Sequence, residues 1–279
     1  MSLDIKKVYV DTRWRTSDSK SSTDFSIELP RSFTVPDNVV AYIDDIVLPI
    51  SFPTIYDRNN TLYFEYAYNT VNGFDSVAIN TGNYTGATFS EALKNKLNAW
   101  AQAKFGLHAN VFPFDVTYNV YDNSIELTVK VELFIITILS DDDLQQGFTS
   151  PGFTRAPISN PKTINKVLQL NKTANLYKEN PFHTFLDLHT TRNLYLTSST
   201  LCAYNSISNF GNDTIIKKIP VRAGFNEMLF DEGADGMDYL DVSRRTLRYI
   251  DFKLVDSYFN VVDLRNNHFS FSILFEVKR

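Results

Sequence analysis

His268-Phe269-Ser270-Phe271-Ser272-Ile273-Leu274-Phe275-Glu276-Val277 decides the fold class. Side chains alternate faces along a strand, so Phe269, Phe271, Ile273, Phe275 and Val277 share one face and His268, Ser270, Ser272 and Glu276 the other. That is a half-buried strand with an aromatic inner face. Upstream, Ile250, Phe252 and Leu254 alternate with Tyr249, Asp251 and Lys253 in the same way. Two such strands imply an all-β protein in which the closing strand completes a sheet.

The composition agrees. The 279 residues are 43% hydrophobic and 14% aromatic, with 22 Phe and 15 Tyr, enough for one large β domain or two small ones. Aromatic rings suit a pleated surface and bury much area per residue. A net charge of −5 and a pI near 5.4 argue against a dedicated nucleic-acid binder, which carries a basic footprint. The single cysteine, Cys202, excludes an internal disulfide or a cysteine zinc cluster and fits synthesis in a reducing compartment. No run approaches the roughly 20 apolar residues of a membrane span, and the N-terminus carries no apolar signal segment. The sequons at Asn59, Asn83, Asn171 and Asn212 therefore read as chance in an Asn-rich chain.

Taken in order, residues 1–20 mix Lys6, Lys7, Arg13, Arg15 and Lys20 with serines and aspartates and read as an arm or edge segment. Phe25, Ile27 and Leu29 form a short strand stopped by Pro30. Val39 to Ile50 is apolar apart from Asp44 and Asp45 and reads as a central strand. Leu62 to Tyr68 alternates, and Val77 and Ile79 mark another strand. Thr88-Phe89-Ser90-Glu91 fits a capping box that opens the one clear helix, with Phe89, Leu93, Leu97 and Trp100 on its buried stripe and Gly106 past its end. Val116 to Val120 and Ile125 to Leu139 return to strand around a hairpin at Asp122-Asn123, with Leu133 to Leu139 buried on both faces or under an insertion. Pro151, Pro157, Pro161 and Pro181 make residues 140–190 a loop insertion. Strands resume at Asn193 to Tyr204 and Thr214 to Ile219, and an acidic loop, Asp231 to Asp241, precedes the final pair. The expected organisation is an N-terminal arm or edge segment over 1–20 and a single domain over 21–279 with a loop insertion at about 140–190.

The search for reactive chemistry finds little. Asp231-Glu232-Gly233-Ala234-Asp235-Gly236 resembles the opening of a calcium loop but lacks oxygen ligands at its third and twelfth positions, Gly233 and Val242, and reads as a solvated turn. Asp141-Asp142-Asp143 suits the start of a short helix, where carboxylates complement the dipole. His183 and His189 flank Asp187 at a spacing that matches no usual zinc site. Asp44 and Asp45 adjoin in a strand and should face opposite ways, which disfavours a carboxylate pair. Arg13-Trp14-Arg15 could hold a phosphate or a base; packing of an N-terminal arm on a neighbouring subunit explains it equally well.

Several stretches together resemble one family. They are Val8-Tyr9-Val10-Asp11-Thr12-Arg13 with Ser17-Asp18-Ser19-Lys20, Leu29-Pro30, Tyr42-Ile43-Asp44-Asp45-Ile46, Gly82-Asn83-Tyr84-Thr85-Gly86, Asn193-Leu194-Tyr195-Leu196 and Ser270-Phe271-Ser272. Their order resembles that of the penton, or minor capsid, proteins of polinton-type elements and virophages, from about residue 7 to residue 277. The resemblance implies a single jelly roll of two facing four-stranded antiparallel sheets, with one helix and long loop insertions. It implies five copies at each vertex of an icosahedral capsid among double-jelly-roll major capsid proteins. The chain departs from the family at Phe259, where a glycine often precedes Asn260, so the tight turn usual there is not expected.

The function expected is that of a structural virion protein, made inside the host cell and placed at capsid vertices. No enzymatic activity, cofactor, metal or small-molecule substrate is expected. Lys6, Lys7, Arg13, Trp14 and Arg15 are the candidate contacts to a neighbouring subunit, because a tryptophan among bases supplies an apolar anchor and attraction to an acidic body. The alternative is a jelly-roll carbohydrate-binding or host-attachment module that stacks sugars on Tyr66, Tyr68, Tyr84 and Tyr118. A metalloenzyme on the same architecture would have to gather His183, His189 or His268 with carboxylates.

Overall fold

The computed structural model describes residues 5–150, 152–189, 191–203, 211, 214–232 and 239–277. The chain divides into two compact units, one formed by Met1–Phe52 with Thr191–Arg279 and the other by Pro53–Thr190. The first unit starts with β1 (Ile5–Asp11), β2 (Asp24–Thr34) and β3 (Val39–Pro49).

The second unit follows. It holds β4 (Thr61–Tyr68), β5 (Val71–Ala78), α1 (Gly86–Phe105), β6 (Phe114–Asn119), β7 (Ser124–Val129), β8 (Phe134–Ile138) and α2 (Asp141–Gln145). Four short strands complete it: β9 (Phe148–Ser150), β10 (Phe153–Arg155), β11 (Ala174–Leu176) and β12 (Phe182–Phe185). One sheet runs β11-β8-β4-β5 and another β12-β7-β6. Phe64, Phe89, Leu93, Leu97, Phe114 and Phe134 share its core. The amide of Asn98 ties α1 to β6, donating to the Phe114 carbonyl (2.9 Å) and accepting from the Phe114 N–H (3.0 Å).

The structure departs from three expectations. The excursion from the first unit begins at residue 53, not 140, because strands that alternate equally well belong to different sheets and periodicity does not say which. The helix is capped by Thr85 with Thr88, three residues earlier than expected, and closed by Gly106 at φ +61°. The carboxylates of α2 do stand in its first turn, behind the Ser140 cap. Leu133 to Leu139 is not buried on both faces: Phe134, Ile136 and Ile138 point inward and Ile135 is exposed.

The chain then returns to the first unit through β13 (Asn193–Thr197), β14 (Ile215–Pro220), β15 (Met228–Glu232), β16 (Leu240–Asp241), β17 (Thr246–Val255) and β18 (Ser270–Val277). One sheet runs β1-β18-β3-β15, with β16 continuing beside β3, and the other runs β14-β13-β17-β2. With the two fragments beside β3 taken as one strand, this is the order of a jelly roll, in which the first strand lies beside the last. Both sheets contribute to one core. Its rings meet edge to face across the sandwich, Phe252 with Phe271 (5.0 Å, 78°) and Phe33 with Phe275 (5.3 Å, 85°).

The N-terminal segment, expected as an arm or an edge, runs along the edge of the sheet. All of β1 pairs with β18, and Val10 is 2% exposed on the inner face. The alternation of Val8, Val10 and their polar neighbours makes it an edge strand of its own sheet. Asp231 and Glu232 belong to β15 rather than to a loop, and the rest of the calcium-like stretch, 233–236, lies outside the described residues.

Candidate subunit interface

Three of the five candidate residues, Arg13, Trp14 and Arg15, lie where β1 ends. Asp11 caps a 3-10 turn, Thr12–Trp14, by accepting from the Arg13 backbone N–H (2.9 Å). The same carboxylate takes the Arg13 guanidinium through Nε (2.9 Å), and this partner holds its pKa below the ordinary carboxylate range. Thr12 is fully buried and locks the turn to the start of β18, donating its N–H to the Phe269 carbonyl (3.0 Å) and accepting the Phe269 N–H (3.1 Å). Arg15 Nη1 donates to the Thr12 carbonyl (3.0 Å). Trp14, 66% exposed, stands off this braced turn. Beside it an open hollow of about 250 Å³ is lined by Asp11, Arg13, Val47, Met228 and His268.

The two lysines go separate ways. Lys6 faces the inner side of β1 and sets its ammonium 3.7 Å from the centre of the Phe33 ring. Lys7 lies on the outer face and bonds Asp44 Oδ2 at 2.7 Å, which raises its pKa. The neighbouring Asp45 does not face the opposite way from Asp44, as simple alternation requires. The β3–β18 register shifts between Ser272 and Ile273, so Asp44 and Asp45 together oppose Ser272 on the outer face while Ile43 and Ile46 both point inward. A β-bulge of this kind leaves no mark in a sequence read by period two.

Three outer-face residues escaped the sequence reading. Tyr9 (68% exposed), Phe230 (65%) and Met228 (46%) stand on the outer side of the β1-β18-β3-β15 sheet. Tyr9 could have been found, since it alternates with the inward Val8 and Val10. Phe230 could not, because Met228-Leu229-Phe230 carries too little pattern to announce a strand.

The chain shares the fold of the mavirus penton protein. Its crystal structure aligns with 97% of this chain and 99% of its own length, at 10% identity and a TM-score of 0.53. A chain of the Sputnik virophage cryo-microscopy structure aligns over 99% of this chain and 98% of its own, at 12% identity and a TM-score of 0.48. No family model matches the sequence, and no curated protein matches it.

The tyrosines considered for sugar stacking are placed otherwise. Tyr66 is buried, packed edge to face on Trp100 at 5.2 Å, and lies across Gly73, where a Cβ would come within 2.6 Å of its hydroxyl. Tyr68 stacks on Phe134 at 4.2 Å. Tyr84 bonds the Asn80 carbonyl, and the ring of Tyr118 covers Gly86. Among the described residues no three His, Cys, Asp or Glu side chains are grouped to hold a metal ion. His268 instead meets the Thr12 hydroxyl at 3.2 Å.

Phe259 adopts φ +60°, and the Asp256 carboxylate gathers the N–H groups of Tyr258 (2.8 Å) and Asn260 (2.9 Å). The tight turn that the missing glycine argued against is therefore formed, with the Phe259 ring stacked on Tyr195 at 6.2 Å.

Proposed function

We propose that this chain is a penton subunit, a structural capsid protein that assembles as a homopentamer at the five-fold vertices of an icosahedral shell. The observation that carries the reading is the end-to-end alignment with the mavirus penton protein, which spans both compact units and not the jelly roll alone. Fold by itself leaves function open, since lectins and cupin enzymes share this architecture. The exposed, braced Arg13-Trp14-Arg15 turn adds weight, because such an anchor serves a contact with a neighbouring subunit. The surrounding capsid partner in this reading is a double-jelly-roll major capsid protein, the place of action is the virion, and the role requires no catalysis.

Particle reconstruction by cryo-microscopy with the chain placed in density tests the proposal. Five copies around each vertex are expected. Particles whose vertices are filled by another chain would end the reading.

A further inference from the structure

The two outer faces of the sandwich differ in kind. On the β1-β18-β3-β15 face stand the carboxylates of Asp11, Asp44, Asp45, Glu232, Asp241 and Glu276; Asp11 takes the Arg13 guanidinium, Asp44 takes Lys7 at 2.7 Å and Asp241 accepts the Ser243 N–H at 3.0 Å, so six carboxylates stand against two bases. Tyr9, Phe230 and Met228 rise among them. On the β14-β13-β17-β2 face the carboxylates are occupied within the sheet. Glu28 takes Arg248 at 2.6 Å, Asp24 lies between Lys20 (3.7 Å) and Lys253 (3.9 Å), and Asp251 accepts the N–H groups of Ser199 (3.0 Å) and Thr200 (2.8 Å). Lys218 projects from the same face. One face is thus acidic, and the other, which exposes Tyr249 (57%), leans basic.

We propose that the acidic face of one copy seats the basic face of a second copy, and that this head-to-tail contact is what closes the penton ring. The inference rests on the penton reading. Two different faces of one sandwich are used, so the contact is heterologous, and a heterologous contact repeated by a constant rotation gives a ring when the rotation closes. Large exposed apolar side chains surrounded by charge are the composition of an interface rather than of a solvated sheet. Area also matters. Four strands of about seven residues cover only about 15 by 23 Å, or roughly 350 Å² in plan, while a stable contact takes about 800 Å² from each partner. The turn that carries Trp14 follows directly on β1 and adds exposed surface at that edge of the sheet.

The test uses the full chain, with Tyr9→Glu and Phe230→Glu combined on the acidic face and Lys218→Glu and Lys253→Glu combined on the basic one. Native mass spectrometry at near-physiological salt reads the oligomer, and circular dichroism verifies that each variant is folded. Each double variant should lose the ring by about tenfold or more in assembled fraction while melting within a few degrees of the parent. Mixing the two variants should give a heterodimer and no ring, because one intact acidic face and one intact basic face remain to pair once. Variants that assemble like a ring-forming parent would overturn the assignment of faces and leave the penton reading standing. A parent that forms no ring, in solution or at particle vertices, would overturn both.

Discussion

Val10 pairs opposite Phe271, roughly 260 residues along the chain, whereas Tyr66 pairs opposite Gly73, seven residues away. The contrast holds across the two units. The first joins β1 to β18 and β2 to β17, the earliest strands to the latest. The second is made of near neighbours, the β4–β5 and β6–β7 hairpins with α1 between them. Both bury aromatic cores, so the difference lies in wiring and not in chemistry. Long closures cost more chain entropy before any contact compensates, so the first unit should form late and depend on its ends, and the second should stand on local contacts.

The sharpest way to break this contrast is to remove residues 1–11. The loss of the β1 ladder and of buried Val10 should cost the first unit on the order of 5 kcal/mol or more, a large part of a typical domain's stability. Calorimetry should show one transition lowered or lost and the other unchanged, and Pro53–Thr190 expressed alone should melt at that unchanged temperature. A full-length melt that did not move would mean β1 is dispensable. Asn98→Ala is the corresponding probe of the second unit. It strands the N–H and carbonyl of Phe114 in the core, at about 1–3 kcal/mol per group. Hydrogen exchange should speed up in α1, β6 and β7 and stay as it was in β17 and β18.

Acid should act on both units through different partners. Asp115 lies between Lys130 (2.7 Å) and Lys94 (2.8 Å), and those bonds lower its pKa. For Asp251 burial works to raise the pKa, but hydrogen bonds from Thr200 and Ser199 outweigh it and the net shift is downward. A carboxyl with a depressed folded pKa contributes stability that is present above its unfolded pKa of about 4 and is lost as the pH falls through the folded value. Asp115→Asn and Asp251→Asn should therefore destabilise at pH 7 and matter least near pH 2. Thermal melts across that range read the effect, and an equal cost at both ends would show that the charge is irrelevant.

The smallest effect is expected at Phe259. A left-handed Phe costs about 1–2 kcal/mol, and its stack on Tyr195 returns about 0.5–1.5. Phe259→Gly relieves the strain and loses the stack, so its stability should stay within about 1 kcal/mol of the parent. Phe259→Ala keeps the strain and loses the stack, so it should be the less stable of the two in denaturant titrations.

Much of the fold was legible because burial on one face writes a period into the chain. The Phe271-Ile273-Phe275 face and the α1 stripe follow from it, while the α2 start was legible from its run of carboxylates. What stayed hidden has no period. The bulge at Asp44-Asp45 inserts a residue without altering composition, β15 is five residues beside an acidic run, and nothing in Leu62 to Tyr68 says it belongs to a second unit. The candidate contact was half legible: Trp14 among arginines was visible, but the outer face beside it required the register of β3, β15 and β18.

The adjacency of β1 and β18 also sets a schedule. At about 5–20 residues added per second, β1 leaves the ribosome roughly 13–50 s before its partner exists. During that interval all of Pro53–Thr190 emerges and has time to fold. An unmated edge strand is a template for pairing with other chains, so nascent copies on one messenger are most exposed to mispairing in this window, and a chaperone that covers residues 5–11 would help most there.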